Sequence, residues 1–276
     1  MDHKELSGFK KWFAGYCASF AVSHEEDQGN FALKEQHTHD VCANIVRIAA
    51  DLSLDGRRSL LAEVIALFHD VGRFPQYQKF RTFNDRSSAN HAALGAKVLL
   101  EHRVLDSLPK RDRELVVHVV AMHNVFSLPD SLDNDTLLLL RMVRDADKID
   151  IMRVMIAHCG RREEERSAIV GLGLPDAPGY SAEILARLEN REMVRMSSLK
   201  ALNDFKLLQL AWIYDLNFTS SLRMVKERAY VLALAAMLPP VDEISRAVMR
   251  IQNYVDEKIR DERAGNPVLK RVDENG

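Results

Sequence analysis

Apolar residues recur at helical spacing along almost the whole chain, while runs of alternating β-branched residues are scarce. This pattern predicts an all-α fold, a helical bundle with additional C-terminal helices packed on it. The first predicted helix has one stripe of large apolar side chains, namely Leu6, Phe9, Phe13, Tyr16 and Phe20. The predicted helices span residues 5–21, 36–52, 57–71, 88–102, 111–124, 134–158, 181–195, 198–216, 219–237 and 241–262.

Breaks in this periodicity predict how the chain is divided. Residues 24–29 are predicted to form a polar turn and residues 73–86 a long loop, and the glycine- and proline-rich segment 171–180 is the best candidate for a boundary or flap. The predicted division is an N-terminal helix and turn, a central domain, a loop or flap, a C-terminal helical extension and a tail. These parts span residues 1–29, 30–160, 161–180, 181–264 and 265–276.

Composition excludes several classes of protein. The chain has 276 residues and is 47% hydrophobic, enough for one large core or for a core with an appended lobe. Its net charge of −2 lacks the basic footprint of nucleic-acid binding, and no stretch approaches the roughly 18 apolar residues of a membrane helix. The three cysteines, Cys17, Cys42 and Cys159, are odd in number and far apart, which disfavours disulfides and zinc–thiolate sites. The N-terminus lacks the apolar core of a signal peptide, so we expect a cytoplasmic protein.

The dipeptide His69-Asp70 closes an apolar predicted helix, LLAEVIALFHDVG. An imidazole and a carboxylate at this place would be costly to bury without a partner. The simplest alternative is a histidine at the helix C-terminus followed by an exposed aspartate.

Polar residues on the apolar faces of other predicted helices favour a functional site. His39 shares a face with Cys42, Ala43, Val46 and Ala49, so it is expected to point inward. Three further side chains lie on apolar faces of separate helices, namely His91, His123 and Asp147. Imidazoles and carboxylates bind hard or borderline divalent metals, and a helical bundle can present them convergently.

Two neighbouring histidines are not expected to be ligands. His37 lies two residues before His39 and is predicted to point to another side of the helix. His118 is rotated off the apolar face that carries His123, so a structural or surface role is expected for it.

The order of His39, the His69-Asp70 pair and Asp147 within RDADKID resembles the HD-domain metal-dependent phosphohydrolases, over roughly residues 30–160. This resemblance implies that these four residues bind a first divalent ion. It also implies that a second ion would be held by His91 and His123, with Asp70 bridging the two. One or two ions of manganese, iron, nickel, magnesium or zinc are therefore expected in each chain. The run from HDVGRF to GAKVL resembles a subgroup of HD proteins, which implies a shared substrate.

Several charged residues near these ligands are candidates for contacting substrate. Arg73 stands where some relatives carry a phosphate-contacting lysine, and its alternative is an arginine that interacts with the helix dipole. Lys148 is a second candidate cation, with a structural salt bridge as its alternative. Asp70, Arg73 and Lys148 are thus the predicted catalytic residues. Asp85 and Arg86 either shape the entrance or form a turn or helix cap.

The function favoured by the resemblance is hydrolysis of a small phosphate ester or nucleotide by a metal-activated water. Two alternatives remain open: a di-iron oxygenase of the same superfamily, and a non-catalytic HD sensor module. His123 is followed by NVFSLPD rather than by the glycine-tyrosine-proline motif of cyclic-di-GMP phosphodiesterases, which disfavours that activity. The expected partners are a small phosphorylated substrate and, at most, a second copy in a homodimer, with neither a nucleic acid polymer nor a membrane.

Overall fold

The computed structural model describes residues 1–21, 24–167 and 169–264, which form twelve α-helices and contain no β-strand. The predicted all-α fold is therefore confirmed, while the predicted tail, 265–276, lies outside the described residues. The helices are α1 (His3–Ala18), α2 (Glu25–Asp51), α3 (Gly56–Phe68), α4 (Arg73–Phe80), α5 (His91–Glu101), α6 (Lys110–Met122), α7 (Asn134–Cys159), α8 (Ala182–Glu189), α9 (Leu202–Ala211), α10 (Thr219–Glu227), α11 (Tyr230–Ala235) and α12 (Asp242–Arg263).

The chain divides into two compact units, one ending at Asp150 and the other beginning at Ile151, within α7. At the centre of the first unit is α3, in which every residue from Leu60 to Phe68 except Glu63 is buried. Helices α1, α2 and α6 pack around α3. Fully burying one large apolar side chain stabilises a fold by about 1.5–3 kcal/mol, so α3 anchors this unit. Helix α1 lies in the same unit, although the sequence analysis placed residues 1–29 in a separate part.

Helix α2 begins at Glu25, within the segment predicted to be a polar turn, so that prediction is wrong. Three acidic residues in its first turn are favourable beside the positive end of the helix dipole. Phe31, in the second turn, is buried against the rings of Phe20 and Phe74, at centroid distances of 5.5 and 6.0 Å. Burial of this aromatic side chain stabilises a helical start of α2 in a polar segment. The periodicity of apolar residues alone does not predict a helix there.

The segment 73–86, predicted to be a loop, contains α4. Phe74 and Tyr77 lie one turn apart and are both buried, with Tyr77 packed edge-on against Phe31 at 5.3 Å. Pro75 is tolerated because it lies in the first turn, where a backbone N–H has no partner inside the helix. The buried apolar face of α4 consists of only these two aromatic residues, so the sequence shows no helical periodicity of apolar residues there.

Two glycines allow the start of α4 to touch α5. A Cβ on Gly72 would lie 2.2 Å from the carbonyl oxygen of His91 and 2.4 Å from the backbone nitrogen of Gly95. A Cβ on Gly95 would in turn lie 3.4 Å from the Gly72 nitrogen. Backbones can approach this closely only where side chains are absent, so Gly72 sets the distance between the His69-Asp70 pair and the first residue of α5.

The second unit contains α8 to α12, with α9 buried along its whole length. Asp204 is fully buried near the start of α9 and joins two segments of chain. Its carboxylate accepts hydrogen bonds from the backbone nitrogens of Ser181, Lys200 and Ala201, at 2.6, 2.8 and 3.2 Å, and from the Ser181 hydroxyl at 2.8 Å. These bonds satisfy backbone donors that burial would otherwise leave unpaired.

Two predicted helices of this unit are broken. The predicted helix 219–237 divides into α10 and α11 at Ala229, whose φ of 53° lies in the left-handed region. The predicted helix 198–216 is reduced to α9 followed by a short 3-10 turn at Trp212–Asp215. Among the described residues, no helix is both long enough and apolar enough to span a membrane.

Replacing Gly72 with alanine should destabilise the protein strongly, because the new Cβ meets backbone atoms of α5 that cannot rotate away. We expect a loss of about 3 kcal/mol or more in the free energy of unfolding, measured by urea denaturation. The matched control is Gly8→Ala, at an exposed helical site where a new Cβ would meet no atom of the described residues within 4 Å. This substitution should be neutral or stabilising. Equal midpoints for the two variants would contradict the close contact.

Replacing Asp204 with alanine should destabilise the second unit, because three backbone N–H groups lose their acceptor. We expect a cost of about 3 kcal/mol or more, seen as a lower melting temperature. The exposed Asp242, in the first turn of α12, provides the control, and Asp242→Ala should cost under about 1 kcal/mol. A melting temperature of Asp204→Ala within a degree or so of the control would refute this role.

Candidate metal centre

Six side chains from five helices of the first unit meet in one cluster. They are His37 on α2, His69 and Asp70 at the end of α3, His91 at the start of α5, His123 at the end of α6 and Asp147 on α7. Among the described residues, two groups could each hold a metal ion, and Asp70 belongs to both. The first group adds His37 and His69, and the second adds His91 and His123.

The carboxylate of Asp70 lies between two pairs of histidines. Its Oδ2 lies 3.6 Å from Nε2 of His37 and 3.8 Å from Nε2 of His69. Its Oδ1 lies 3.3 Å from Nε2 of His91 and 3.9 Å from Nε2 of His123. A carboxylate in this position can offer one oxygen to each of two cations.

Asp147 adds a second carboxylate to the first pair of histidines. Its Oδ1 lies 3.1 Å from Nε2 of His37 and 3.7 Å from Nε2 of His69. Both nitrogens are buried, and within the described part of the chain neither makes an aligned hydrogen bond. Buried polar atoms of this kind are rare in folded proteins and call for a partner such as an ion.

All four imidazoles donate Nδ1–H to an oxygen outside the cluster. The acceptors are Asp150 Oδ2 for His37 at 2.6 Å, the Ala66 carbonyl for His69 at 2.7 Å, Asp85 Oδ2 for His91 at 2.6 Å, and the Val120 carbonyl for His123 at 2.8 Å. Carbonyl and ionised carboxylate oxygens only accept, so each Nδ1 carries the proton. Each Nε2 therefore faces the cluster. Partners of this type orient histidines that bind metals.

The pair formed by His91 and His123 shows most clearly that the cluster fits a cation. Their Nε2 atoms lie only 3.0 Å apart. Burial lowers the pKa of His91, and burial followed by the neighbouring His91 and His69 lowers the pKa of His123 to about 3, so both rings are neutral. Two lone pairs then face each other, which is repulsive unless a positive charge lies between them. This set of nitrogens and carboxylates fits a divalent ion.

The two sides of the cluster differ in charge. Burial and Lys34 lower the pKa of His37, but Asp147 and Asp150 raise it more, to about 9. Burial raises the pKa of Asp70, yet the cationic groups around it, Lys34 first, hold it well below its ordinary value. Burial also raises the pKa of Asp147, but hydrogen bonds from His37 and His69 hold it well below its ordinary value. Asp70 and Asp147 are therefore both ionised, and a metal bound on the His37 side would displace a proton from His37.

Polar contacts hold the five helices in place around the cluster. The amide of Asn44 donates to the carbonyl of Ala146 at 3.1 Å and ties α2 to α7. The guanidinium of Arg144 donates to the carbonyl of His123 at 3.1 Å and ties α7 to the end of α6. Side chains from separate helices are thereby brought to the same point.

The structure corrects the choice of histidine on α2. His37 lies in the cluster and is 2% exposed, whereas His39 is exposed and its ring packs edge-on against Phe13 at 5.9 Å. His39 was predicted to point inward because it aligns with small residues and with Val46, but Val46 is itself 44% exposed.

A different stripe on α2 marks its buried face. Val41, Asn44 and Ile48 are all buried and are spaced at helical intervals from His37. The large apolar residues Val41 and Ile48 were thus a better signal for the inward direction than the small residues near His39.

The structure also shows where the other residues considered in the sequence lie. His118 is exposed, as expected. Lys148 is buried and has a polar or electrostatic partner, so its catalytic role stays a prediction. Arg86 is exposed and its backbone nitrogen donates to Asn84 in a turn. Asp85 orients His91, a role that the sequence analysis did not assign to it.

Two residues of the site were not anticipated. Lys34 lies one turn before His37 on α2, and its ammonium donates to Asp70 Oδ2 at 2.8 Å. Asp150 lies one turn after Asp147 on α7 and is completely buried. Helical spacing from Asp147 could have found Asp150, and helical spacing from His37 could have found Lys34 once the correct histidine on α2 was known.

Comparison with protein families agrees with this geometry. Residues 35–152 match the family model of the HD domain, a segment that includes all six side chains of the cluster. Comparisons with curated proteins and with solved structures give no match. Members of this family bind divalent metals, and the cluster found here could hold such ions. The match over residues 35–152 is therefore consistent with the HD-domain superfamily.

Proposed function

We propose that this protein is a metal-dependent phosphohydrolase that cleaves a small phosphate ester or a nucleotide. The observation that carries the proposal is the position of Asp70, whose two oxygens each face a pair of histidine Nε2 atoms. A hydrolase-type function is what an HD domain indicates. The class of substrate and the attack by water belong to the proposal.

Two ligand sets would hold the ions. His37, His69, Asp70 and Asp147 would bind the first, and Asp70 would share the second with His91 and His123. A divalent ion bound there would supply Lewis acidity, which makes water nucleophilic near neutral pH and stabilises negative charge on a phosphoryl group.

The chain itself holds the candidate metal ligands in a fixed orientation before any ion binds. Each imidazole is held by its Nδ1 hydrogen bond, so the ligands need little rearrangement when they bind. Asp147 is 22% exposed, whereas each of the four imidazole side chains is 5% exposed or less. Water and substrate can therefore reach the cluster beside Asp147.

The charges of the site suit an anionic substrate. Asp70 and Asp147 bring two negative charges to four histidines. Two divalent ions would outweigh these carboxylates and leave a net positive charge facing the solvent-accessible side. An attraction of this kind favours phosphate groups over neutral molecules.

The first prediction of this function compares two histidines on one helix. His37→Ala should remove a metal ligand, so metal content and phosphate release should both fall severely. His39→Ala should retain both, because that ring lies outside the cluster. Elemental analysis and a screen of phosphate esters with manganese, iron, nickel, magnesium or zinc provide the measurements. Equal metal content in the two variants would contradict the site, and iron with oxygen-dependent turnover would favour an oxygenase.

The second prediction concerns the number of ions. His91→Ala should reduce bound metal from about two equivalents to about one and lower hydrolysis severely, because it removes one ligand of the second group. His118→Ala is the matched control on α6 and should leave metal content unchanged, since that side chain is exposed. If wild-type protein loaded with excess manganese never exceeds one ion per chain, the centre is mononuclear.

A further inference from the structure

Two cationic side chains flank the central carboxylate, one on each oxygen. The ammonium of Lys34 donates to Asp70 Oδ2 at 2.8 Å, and Nε of Arg73 donates to Asp70 Oδ1 at 3.3 Å. Cations next to a metal centre can bind the anionic group of a substrate. The two residues differ in how firmly the surrounding chain holds them.

Arg73 is part of the framework. Besides Asp70, its guanidinium contacts three acceptors through Nη1, namely the Phe83 carbonyl, Gln76 Oε1 and Asp85 Oδ1. These bonds connect α4 to the segment that precedes His91. Because Asp85 also accepts from His91, moving Arg73 toward a substrate would disturb the orientation of a candidate ligand. Arg73 is therefore poorly placed to follow a substrate, although the sequence analysis favoured it.

Lys34 has the freedom that Arg73 lacks. In the part of the chain that the structure describes, it makes one hydrogen bond, to Asp70, while its ammonium has three N–H donors. Its Nζ lies 5.2 Å from the centre of the Phe83 ring, and its side chain is 16% exposed. A flexible four-carbon chain beside an aromatic ring can turn without breaking other polar contacts.

We propose that Lys34 is the residue that binds the anionic phosphoryl group of the substrate at the metal centre. Its ammonium lies beside the Asp70 oxygen that faces His37 and His69, so it is within reach of any group bound on that side. This inference rests on the proposed function, which it deepens by naming the cation that recognises the substrate.

The test measures binding of inorganic phosphate to the full-length, manganese-loaded protein by calorimetry. Lys34→Met keeps the length of the side chain but removes its charge, and it should raise the dissociation constant for phosphate about tenfold or more, the effect of losing a charge-assisted hydrogen bond. Manganese content should stay at the wild-type level. Lys34→Arg should retain most of the affinity, and Lys79→Met, which removes an exposed lysine of α4, should bind as wild type does.

Several results would overturn this role. Equal phosphate affinity in Lys34→Met and wild type would exclude it, as would wild-type protein that binds no phosphate. Loss of manganese from Lys34→Met would show that Lys34 supports Asp70 instead of the substrate. A different result separates the two proposals: if phosphate binding depends on Lys34 but no ester is hydrolysed, the anion site stands and the phosphohydrolase function fails.

Discussion

Repulsion among buried acceptor groups is the constraint on which the site depends. The Nε2 atoms of His91 and His123, on two neutral rings, are only 3.0 Å apart, and both lie beside the ionised carboxylate of Asp70. Such groups are stable together only when positive charge lies among them. The Nδ1 partners of the histidines, which come from backbone carbonyls and from Asp85 and Asp150, prevent the rings from turning away. The fold thus holds ligands in an arrangement suited to metal ions.

The arrangement of the ligands requires a close contact between the backbone at the start of α4 and the backbone of α5. The His69-Asp70 pair ends α3, and Gly72 follows at once, in contact with the backbone of Gly95 and His91. Any larger residue at position 72 would push α4 away from α5 and so separate Asp70 from His91. The distance between the two candidate metal groups therefore depends on the absence of a side chain at Gly72. One residue of the local sequence thus affects the geometry of the whole cluster.

The charged residues around the cluster fall into two kinds. Asp85 and Arg73 each have several polar partners, and buried Asp150 accepts from His37, so these residues fix the directions of the ligands. Lys34 has a single hydrogen bond among the described residues and a flexible side chain. A site that must bind and release an anion needs both kinds, because rigid ligands preserve geometry while a mobile cation can follow the substrate.

The sequence by itself determined the helical class, the His69-Asp70 pair and the inward faces that carry His91, His123 and Asp147. These predictions held because an apolar helical stripe is a local property, visible in residues three and four apart. The starts of α2 and α4 were missed, since they depend on Phe31, Phe74 and Tyr77 meeting across helices.

The choice between His37 and His39 was decided by tertiary structure alone. Two residues on a helix differ in direction by roughly 200°, so one of them must point away from the cluster. Both directions contain some apolar residues, and the sequence analysis followed the wrong stripe. Only the packing of α2 against α3 and the tie from Asn44 to α7 select the side that carries His37. The same packing places Lys34 beside Asp70. The role of this lysine could not be predicted from the sequence, because it depends on a partner from another helix.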